Sequence, residues 1–261
     1  MVEGSLRAVL LDLEGTLFAN AVALPGAAAA VAALREQGLG VRFLTNIDSQ
    51  PPAKVAAQLA RCGLDVPVGD LITPVSAAWE LFAAGQDARV LILASAELQN
   101  ELAHLSCAPP YTHVLVGDCR DVLDYATLDG AFRALRAGAQ LVALQRGRYF
   151  RREDGDHLDT GAVVAGLEYS AGVRARVLGK PSADFFAFAA RSLGVAVQEC
   201  VVVGDDATTD IAGGREAGAR TVQVRTGKYA DQRAEGITGS ADATIDSIAD
   251  LPDLLANGFA R

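Results

Sequence analysis

Two carboxylates stand at the end of an apolar segment near the start of the chain, in the sequence Val9-Leu10-Leu11-Asp12-Leu13-Glu14-Gly15-Thr16. The apolar residues predict a buried strand. Alternate strand residues point the same way, so Asp12 and Glu14 begin on one side of it. Such carboxylates can bind a metal ion and attack a phosphoryl group. Solvated acids at a strand end are the alternative, and this segment alone leaves both interpretations open.

Three later segments also place polar side chains directly after apolar runs. They are Thr45 with Asn46, Lys180 before Pro181, and Gly204-Asp205-Asp206 with Asp210 at the opening of the next helix. Ligands in open parallel sheets bind outside the carboxyl ends of the strands, so we expect these groups to converge. Each signal alone is common in loops. Their order, each after a strand-like run, favours a catalytic phosphate site over unrelated turns.

The elements that must position these groups follow the pattern of β/α units. Short apolar runs alternate with longer alanine- and leucine-rich segments, which is typical of a parallel sheet. The predicted core strands are 8–11, 41–44, 201–203 and 221–224. The predicted core helices are 25–37, 52–62, 182–193 and 209–217.

The middle of the chain has its own set of predicted elements. Strands are expected at 90–93, 114–116 and 141–144, helices at 127–137 and 161–169, and a hairpin at 146–155 that turns at Asp154-Gly155. The fold class is therefore α/β. We expect a Rossmann-like core with a parallel sheet, formed by residues 1–85 and 175–261, and a second α/β domain inserted at 86–174.

Composition narrows the function classes. The 261 residues are 51% hydrophobic and 21% charged, which indicates a globular protein. A net charge of -9 argues against non-specific binding to nucleic acid or to an anionic membrane surface. The four cysteines and three histidines lack metal-ligand spacing. With no signal-like segment at the N-terminus, a cytoplasmic protein is the expectation.

The ordered motifs resemble those of the haloacid dehalogenase superfamily, whose members are mostly magnesium-dependent phosphatases. Asp12 matches the nucleophile of the first motif, Thr45 the second and Lys180 the third. Gly204-Asp205-Asp206 with Asp210 matches the fourth motif. The insertion between Thr45 and Lys180 resembles the type IIA branch, whose inserted domain is a C2-type cap. The resemblance spans nearly the whole chain.

This resemblance implies an Mg²⁺-dependent reaction on a small phosphorylated substrate. Asp12 would form an aspartyl-phosphate, which water then hydrolyses. Asp12, the backbone carbonyl of Glu14 and Asp205 would bind Mg²⁺. Asp210 would orient those ligands from outside, and Asp206 could serve either as a ligand or as a supporting group. Thr45, Asn46 and Lys180 would bind the phosphoryl group. A homodimer formed through the cap is a further expectation.

Glu14 departs from the family pattern, in which Asp usually acts as general acid and base. The additional methylene displaces the proton donor by about an ångström, and a misplacement of that size can cost on the order of a hundredfold in rate. Three interpretations stay open: a working acid in an adjusted site, a poor acid with slow turnover, or a phosphate-binding relative that has lost catalysis. Asp48, after the second motif, would repel an anionic substrate unless it faces away.

The cap carries a basic cluster of Arg146, Arg148, Arg151 and Arg152. Solvated hairpin charges are the favoured interpretation over substrate recognition. The loops 117–119 and 159–161 are the expected substrate-facing segments. Subgroup resemblance adds a pyrophosphatase or a phosphoamidase as alternatives, and a non-catalytic scaffold is the alternative from another class. A phospho-accepting receiver domain is disfavoured, because its acidic pair precedes the phospho-accepting Asp.

Overall fold

The computed structural model describes residues 6–83, 87–152 and 154–258, apart from the side chains of Arg151 and Arg152. The strands are β1 (Ala8–Asp12), β2 (Phe18–Ala19), β3 (Val22–Ala23), β4 (Gly40–Leu44), β5 (Leu71–Ile72), β6 (Val90–Leu93), β7 (His113–Val116), β8 (Gln140–Ala143), β9 (Tyr149–Arg152), β10 (Gly155–Leu158), β11 (Arg176–Val177), β12 (Cys200–Gly204), β13 (Arg220–Val224) and β14 (Ala243–Ile245). The α-helices are α1 (Ala27–Glu36), α2 (Pro52–Arg61), α3 (Pro74–Ala83), α4 (Ala96–Glu101), α5 (Tyr125–Arg136), α6 (Thr160–Ala171), α7 (Ala183–Arg191), α8 (Ala212–Ala217), α9 (Tyr229–Ala234) and α10 (Leu251–Ala256).

A six-stranded parallel sheet with the order β14-β13-β12-β1-β4-β5 forms the first core. Every residue of β1 and β12 is buried, as expected for central strands of a parallel sheet. The register pairs Asp12 with Leu44 and Leu11 with Val203. The residues that follow β1, β4 and β12 therefore emerge at one edge of the sheet.

A second, four-stranded parallel sheet has the order β11-β8-β7-β6. Alternate residues of β7 enter different hydrophobic clusters, because successive strand side chains point to opposite faces. Val114 and Val116 pack with residues of α5 and α6. Leu115 packs with residues of α3 and α4. This sheet thus has its own core on both faces.

The predicted α/β fold class is confirmed. Contacts group the chain into two compact units, one of Met1–Thr45, Val55–Ile72 and Lys180–Arg261, the other of Asn46–Lys54 and Thr73–Gly179. The predicted insertion at 86–174 falls inside the second unit. Its boundaries stay a prediction, and the one between 85 and 86 lies outside the described residues.

Most of the predicted strands and helices agree with the structure to within two residues at each end, whereas several other elements were not predicted. The predicted strand 90–93 matches β6, and the predicted helix 52–62 matches α2 to within one residue. The predicted helix 209–217 instead begins with a π-helical turn, Ala207–Ile211, that leads into α8. The hairpin pairs β9 with β10, so Gly155 starts the second strand instead of forming the turn; Glu153 lies outside the described residues.

Helix α3 was not predicted, although its start carries a recognisable signal. Thr73 and Ser76 bond reciprocally: the Ser76 N–H donates to Thr73 Oγ1 at 3.1 Å, and the Thr73 N–H donates to Ser76 Oγ at 2.9 Å. Pro74 stands at the first helical position, which suits its fixed φ. A capping residue followed by proline therefore marks this helix in the sequence. Within the described part of the chain, none of the helices has the length and apolar composition to cross a membrane.

Asp48 is buried in the second unit, where it bonds to the start of α6. Thr160 Oγ1 donates to Asp48 Oδ2 at 2.6 Å, and the Asp118 N–H donates to the Asp48 carbonyl at 3.3 Å. Burial raises the pKa of Asp48 to about 7; the nearby Asp159 and Asp118 raise it further, and bonds from Thr160 and Gln145 oppose the rise. Asp48 is therefore a buried structural acid within this unit.

This environment predicts a pH-dependent gain in stability from Asp48→Asn. The folded-state pKa of about 7 exceeds the ordinary value of 3.8, so the folded state holds an additional proton between those values and loses stability as the pH rises. Asparagine keeps the acceptor for Thr160 without the charge. Urea unfolding from pH 4 to 9 should show the variant's advantage growing by up to about 1.4 kcal/mol per pH unit, then levelling above pH 8. Asp121→Asn, at an exposed position, is the control; a pH-independent difference would contradict the prediction.

Candidate active site

The carboxyl edge of the six-stranded sheet gathers four buried polar groups. Asp12 ends β1, Thr45 follows β4, and Asp205 follows β12. Lys180 lies three residues before α7 and is also buried. Thr45 is held by its N–H, which donates to the Ile72 carbonyl of β5 at 3.1 Å. The sheet therefore brings together side chains that are far apart in the sequence, as predicted.

Lys180 joins two buried carboxylates. Its Nζ donates to Asp12 Oδ1 and, at 2.7 Å, to Asp210 Oδ1. Burial alone would lower the pKa of Lys180, but the charges of Asp12 and Asp210 outweigh that effect and raise it. Lys180 is therefore a permanent cation. Thr16 Oγ1 donates to the other oxygen of Asp12, Oδ2, at 3.2 Å, which fixes the carboxylate from a second direction.

A turn at residues 226–228 closes over Asp205 and Gly15. The Lys228 N–H donates to Asp205 Oδ2 at 2.7 Å, and Thr226 Oγ1 donates to the Gly15 carbonyl at 2.6 Å. A Cβ on Gly227 would lie 2.7 Å from the Gly15 Cα, and one on Gly15 would collide with the Asp205 carboxylate. Gly15 also has a φ of +85°, which favours glycine. Glycine at both positions permits this close approach.

Asp206 caps the π-helical turn that carries Asp210. Asp206 Oδ1 accepts from the Thr208 N–H at 2.8 Å, the Thr209 N–H at 3.2 Å and Gln232 Nε2 at 2.8 Å. Its Oδ2 accepts from Lys228 Nζ at 2.9 Å. Burial opposes ionisation, but the Lys228 charge and these hydrogen bonds lower the pKa of Asp206 well below its usual range. Asp206 is thus an ionised structural cap beside the cluster.

Glu14 lies at the exposed rim of the same edge. Chain reversal after β1 leads into the β2–β3 hairpin, whose turn residues Asn20 and Ala21 have φ values of 49° and 59°. Partial burial raises the pKa of the Glu14 carboxyl, while a hydrogen bond from the Asn20 backbone and the Lys228 charge oppose the rise. The hairpin turn therefore supports the longer side chain of Glu14.

The buried carboxylates fit a divalent metal ion. Asp12, Asp205 and Asp210 each offer an oxygen, and these three atoms lie within 4.8 Å of one another. Burial raises the pKa of Asp12 and Asp205 to about 6 and that of Asp210 to about 7, and mutual repulsion adds to each rise. A bound cation would relieve that repulsion. Carboxylate oxygens are the donors that Mg²⁺ prefers.

Five of the predicted site residues form one cluster in the structure, namely Asp12, Lys180, Asp205, Asp206 and Asp210. Asp12, Glu14, Thr45, Lys180, Asp205, Asp206 and Asp210 all belong to the first compact unit, whereas Asn46 begins a segment of the second. The Glu14 carbonyl as a metal ligand stays a prediction. Asp210 has one oxygen on Lys180 and the other, Oδ2, accepts the Asp206 N–H at 3.2 Å, as suits a supporting group.

The sequence analysis assigned no site role to three contributors, namely Thr16, Gly227 and Lys228. Thr16 follows Asp12 by four residues inside the first motif, so its spacing was visible. The segment Thr226-Gly227-Lys228 follows β13, at the edge where the other site residues emerge. That position after a strand was the available signal. The two loops predicted to face substrate lie in the second unit. There Asp118 Oδ1 accepts from Arg120 Nε at 2.8 Å, and Asp159 caps α6.

The basic cluster of the cap is only partly described. Arg146 forms an ion pair with the Glu168 carboxylate of α6. Arg148 precedes β9. The side chains of Arg151 and Arg152 lie outside the described residues. A substrate role for this cluster therefore has no support from the described contacts.

Two family models match the chain. The model described as haloacid dehalogenase-like hydrolase covers residues 9–107, and the one described as HAD-hydrolase-like covers residues 177–251. Human phospholysine phosphohistidine inorganic pyrophosphate phosphatase is 33% identical over 256 residues, covering 96% of this chain and 94% of that protein. The bovine haloacid dehalogenase-like hydrolase domain-containing protein 2 is also 33% identical, over 95% of each chain.

The chain belongs to the haloacid dehalogenase superfamily. Solved structures of this superfamily share its fold. The p-nitrophenyl phosphatase from Archaeoglobus fulgidus has a TM-score of 0.87 at 25% identity, covering 95% of this chain and 99% of its own. NagD from E. coli K-12 has a TM-score of 0.84 at 26% identity, covering 94% and 98%. The parallel core sheet and separate four-stranded sheet are those of the type IIA group of this superfamily.

The carboxylate cluster of this haloacid dehalogenase protein predicts metal-linked stability. Ligand binding to the folded state stabilises it by about 2.7 kcal/mol at a hundred times the dissociation constant. Calorimetric titration and thermal unfolding with Mg²⁺ should therefore show binding and a raised Tm for the native chain. Asp205→Asn removes one anionic ligand, keeps an acceptor for the Lys228 N–H, and should weaken Mg²⁺ binding at least about tenfold. Asp246→Asn, on a surface ion pair, is the control; equal Mg²⁺ affinity in all three proteins would contradict the assignment.

Proposed function

We propose that this protein is an Mg²⁺-dependent phosphatase that hydrolyses a small phosphorylated compound through an aspartyl-phosphate. The observation that carries the proposal is the Asp12 carboxylate at the end of β1, fixed by Lys180 and Thr16 beside Asp205 and Asp210. Its relatives include phosphatases by name. Asp12, Asp205 and the Glu14 carbonyl are proposed to hold the metal, with Asp206 and Asp210 in support.

Asp12 is the proposed nucleophile. A carboxylate oxygen of Asp12 forms a bond to phosphorus while the bond from phosphorus to the leaving-group oxygen breaks. Water then attacks the phosphorus of the aspartyl-phosphate, releasing inorganic phosphate and restoring the carboxylate. The bonds from Lys180 and Thr16 hold this carboxylate in one orientation before substrate arrives. Such positioning accounts for a large share of rate enhancement in general.

The groups around Asp12 are proposed to offset the negative charge of the phosphoryl oxygens. The Lys180 ammonium sits against Asp12 and would also face the oxygens of a phosphoryl group bonded there. The Thr45 hydroxyl and Asn46 amide are proposed donors to the same oxygens. Bound Mg²⁺ would offset the repulsion between an anionic nucleophile and an anionic substrate.

Glu14 is the proposed general acid for the leaving group and then the base for water. A carboxyl group must hold its proton near neutral pH to act as an acid, and partial burial raises the pKa of Glu14 in that direction. The hydrogen bond from the Asn20 backbone gives the longer side chain a defined position. These contacts favour a working acid over a poor acid or a protein that only binds phosphate.

The substrate is proposed from the chemistry of the site and the names of relatives. One group of relatives is named for phospholysine, phosphohistidine and inorganic pyrophosphate, and structural neighbours are named for p-nitrophenyl phosphate. Pyrophosphatase or phosphoamidase activity is therefore the second candidate. A cytoplasmic location, a cap domain spanning 86–174 and a homodimer through that cap remain predictions from sequence.

Loss of the nucleophile should abolish turnover. Asp12→Asn keeps the size and the acceptor for Thr16 but cannot form a stable acyl-phosphate. Hydrolysis of p-nitrophenyl phosphate with Mg²⁺ should fall by at least about a thousandfold, since the nucleophile acts in every turnover. Asp246→Asn, in a surface ion pair with Arg225, serves as the purification-matched control. Near-normal activity of pure Asp12→Asn protein would refute the covalent mechanism.

Two substitutions at Glu14 test separately the contribution of its acidic proton and that of its side-chain length. Glu14→Gln removes the acid and should lower kcat by about a hundredfold or more. Glu14→Asp keeps the acid but withdraws it from the Asn20 backbone, so we expect a loss of about tenfold. Both rates are measured on a panel of phosphomonoesters. A rate rise in Glu14→Asp would instead identify Glu14 as a compromised acid.

A further inference from the structure

Lysine is rare in this chain, and most of its few lysines lie at the candidate site. The sequence contains three lysines, Lys54, Lys180 and Lys228, among 23 basic residues. Arginine therefore supplies nearly all of the surface cations. Two of the three lysines contact the carboxylates of the candidate site. Lys180 is buried and bonded to the proposed nucleophile, so its role is already assigned, whereas that of Lys228 is not.

Lys228 differs from the other charged groups of the cluster by its exposure. Its side chain is 65% exposed, whereas that of Asp206, its ion-pair partner, is 8% exposed. Asp12, Lys180, Asp205 and Asp210 are all buried. The backbone of Lys228 is fixed, because its N–H bonds to Asp205. Lys228 thus presents an ammonium group on the solvent side of a cluster whose other members are buried.

Asp206 has other hydrogen-bond partners besides Lys228. Its Oδ1 already accepts hydrogen bonds from the Thr208 N–H, the Thr208 hydroxyl at 2.7 Å and Gln232 Nε2. A lysine ammonium carries three N–H donors, and the described contacts use one of them, on Asp206 Oδ2. The ammonium can therefore keep Asp206 and still donate to a bound anion.

The position of Lys228 relative to Glu14 indicates which part of a substrate Lys228 would meet. The turn that carries Lys228 packs against Gly15, the residue after Glu14: Thr226 Oγ1 donates to the Gly15 carbonyl at 2.6 Å, and a Cβ on Gly227 would lie 2.7 Å from the Gly15 Cα. The Lys228 charge accordingly acts on the Glu14 carboxyl. Under the proposed function, Glu14 protonates the leaving group, so a cation that reaches Glu14 lies beside that group. A leaving group that carries its own negative charge would meet repulsion from the ionised Asp206 carboxylate unless a cation stood there.

We propose that Lys228 binds the leaving group of substrates in which that group is anionic, the second phosphate of inorganic pyrophosphate being the simplest case. This assignment rests on the proposed function, because it takes the phosphoryl group to bind at Asp12. Lys228 would contact the oxygens of the second phosphate while Lys180 contacts the transferred one. Selectivity for anionic over uncharged leaving groups would then depend on residue 228.

The experiment compares Lys228→Met and Lys228→Arg with the native chain. Lys54→Met is a matched control, because Lys54 also forms an ion pair with a carboxylate, Glu97 at 2.6 Å, and its side chain is 50% exposed. Two probes, inorganic pyrophosphate and inorganic phosphate, are titrated by calorimetry at constant excess free Mg²⁺ into proteins that also carry Asp12→Asn, so that pyrophosphate is not hydrolysed during the titration. Each is also tested as an inhibitor of p-nitrophenyl phosphate hydrolysis, and kcat/KM is measured for pyrophosphate and for p-nitrophenyl phosphate.

We expect pyrophosphate to bind the native protein more tightly than phosphate, and Lys228→Met to reduce that preference by about tenfold or more. The ratio of kcat/KM for pyrophosphate to that for p-nitrophenyl phosphate should fall by a similar factor, with partial recovery in Lys228→Arg. Lys54→Met should leave both ratios unchanged.

Equal losses on both substrates, together with weaker Mg²⁺ binding, would overturn the proposal and make Lys228 a structural partner of Asp206. A native protein that binds pyrophosphate no better than phosphate would overturn it as well. Failure of the proposed function looks different: p-nitrophenyl phosphate would not be hydrolysed, or hydrolysis would persist in Asp12→Asn. The calorimetric ratio of the two probes still decides the role of Lys228 in that case.

Discussion

The structure of the first unit depends on keeping several carboxylates buried at one edge of a parallel sheet. Asp12, Asp205 and Asp210 lie close enough to repel one another, and burial removes the water that would otherwise screen them. Lys180 is the buried cation that joins two of them. Unpaired buried charge is among the most costly features of a folded protein, so the surrounding backbone must hold Lys180 and its partners in register. A bound divalent cation would complete the charge balance.

Close backbone packing makes this arrangement possible. The π-helical turn brings Asp210 back toward the strand that ends in Gly204, where a Cβ would collide with its carboxylate. On the other side, Gly15 and Gly227 let two turns approach Asp205. These glycines have no role in the chemistry themselves. They set how near the acids come to each other, and therefore how strongly the site favours a cation.

The sheet edge and most of the residues that emerge there could be predicted from the sequence, for identifiable physical reasons. The apolar runs of β1 and β12 are long and fully buried, and the order of motifs after them identifies one sheet edge. Thr16 and the 226–228 turn were missed because their contributions are contacts across a fold, namely a hydroxyl on Asp12 and an N–H on Asp205. The π-helical turn was missed because 3.6-residue periodicity does not distinguish it from a helix start. Asp48 was expected to repel an anionic substrate unless it faced away; its burial and its bond to Thr160, 112 residues away in the chain, are evident only in the fold.

The position of Glu14 shows where such a site can vary. A longer or shorter side chain at Asp12 or Lys180 would break the buried ion pair between these two residues. Lys180 also pairs with Asp210, so it cannot shift without losing that contact. Glu14 instead lies at the rim, against the two-residue turn of the β2–β3 hairpin, where the backbone of Asn20 can meet a longer side chain. Lys228 lies at the same rim and carries the opposite charge. Under the proposed function, the buried network would constrain the phosphoryl chemistry, while Glu14 and Lys228, which are both exposed, could vary with the leaving group.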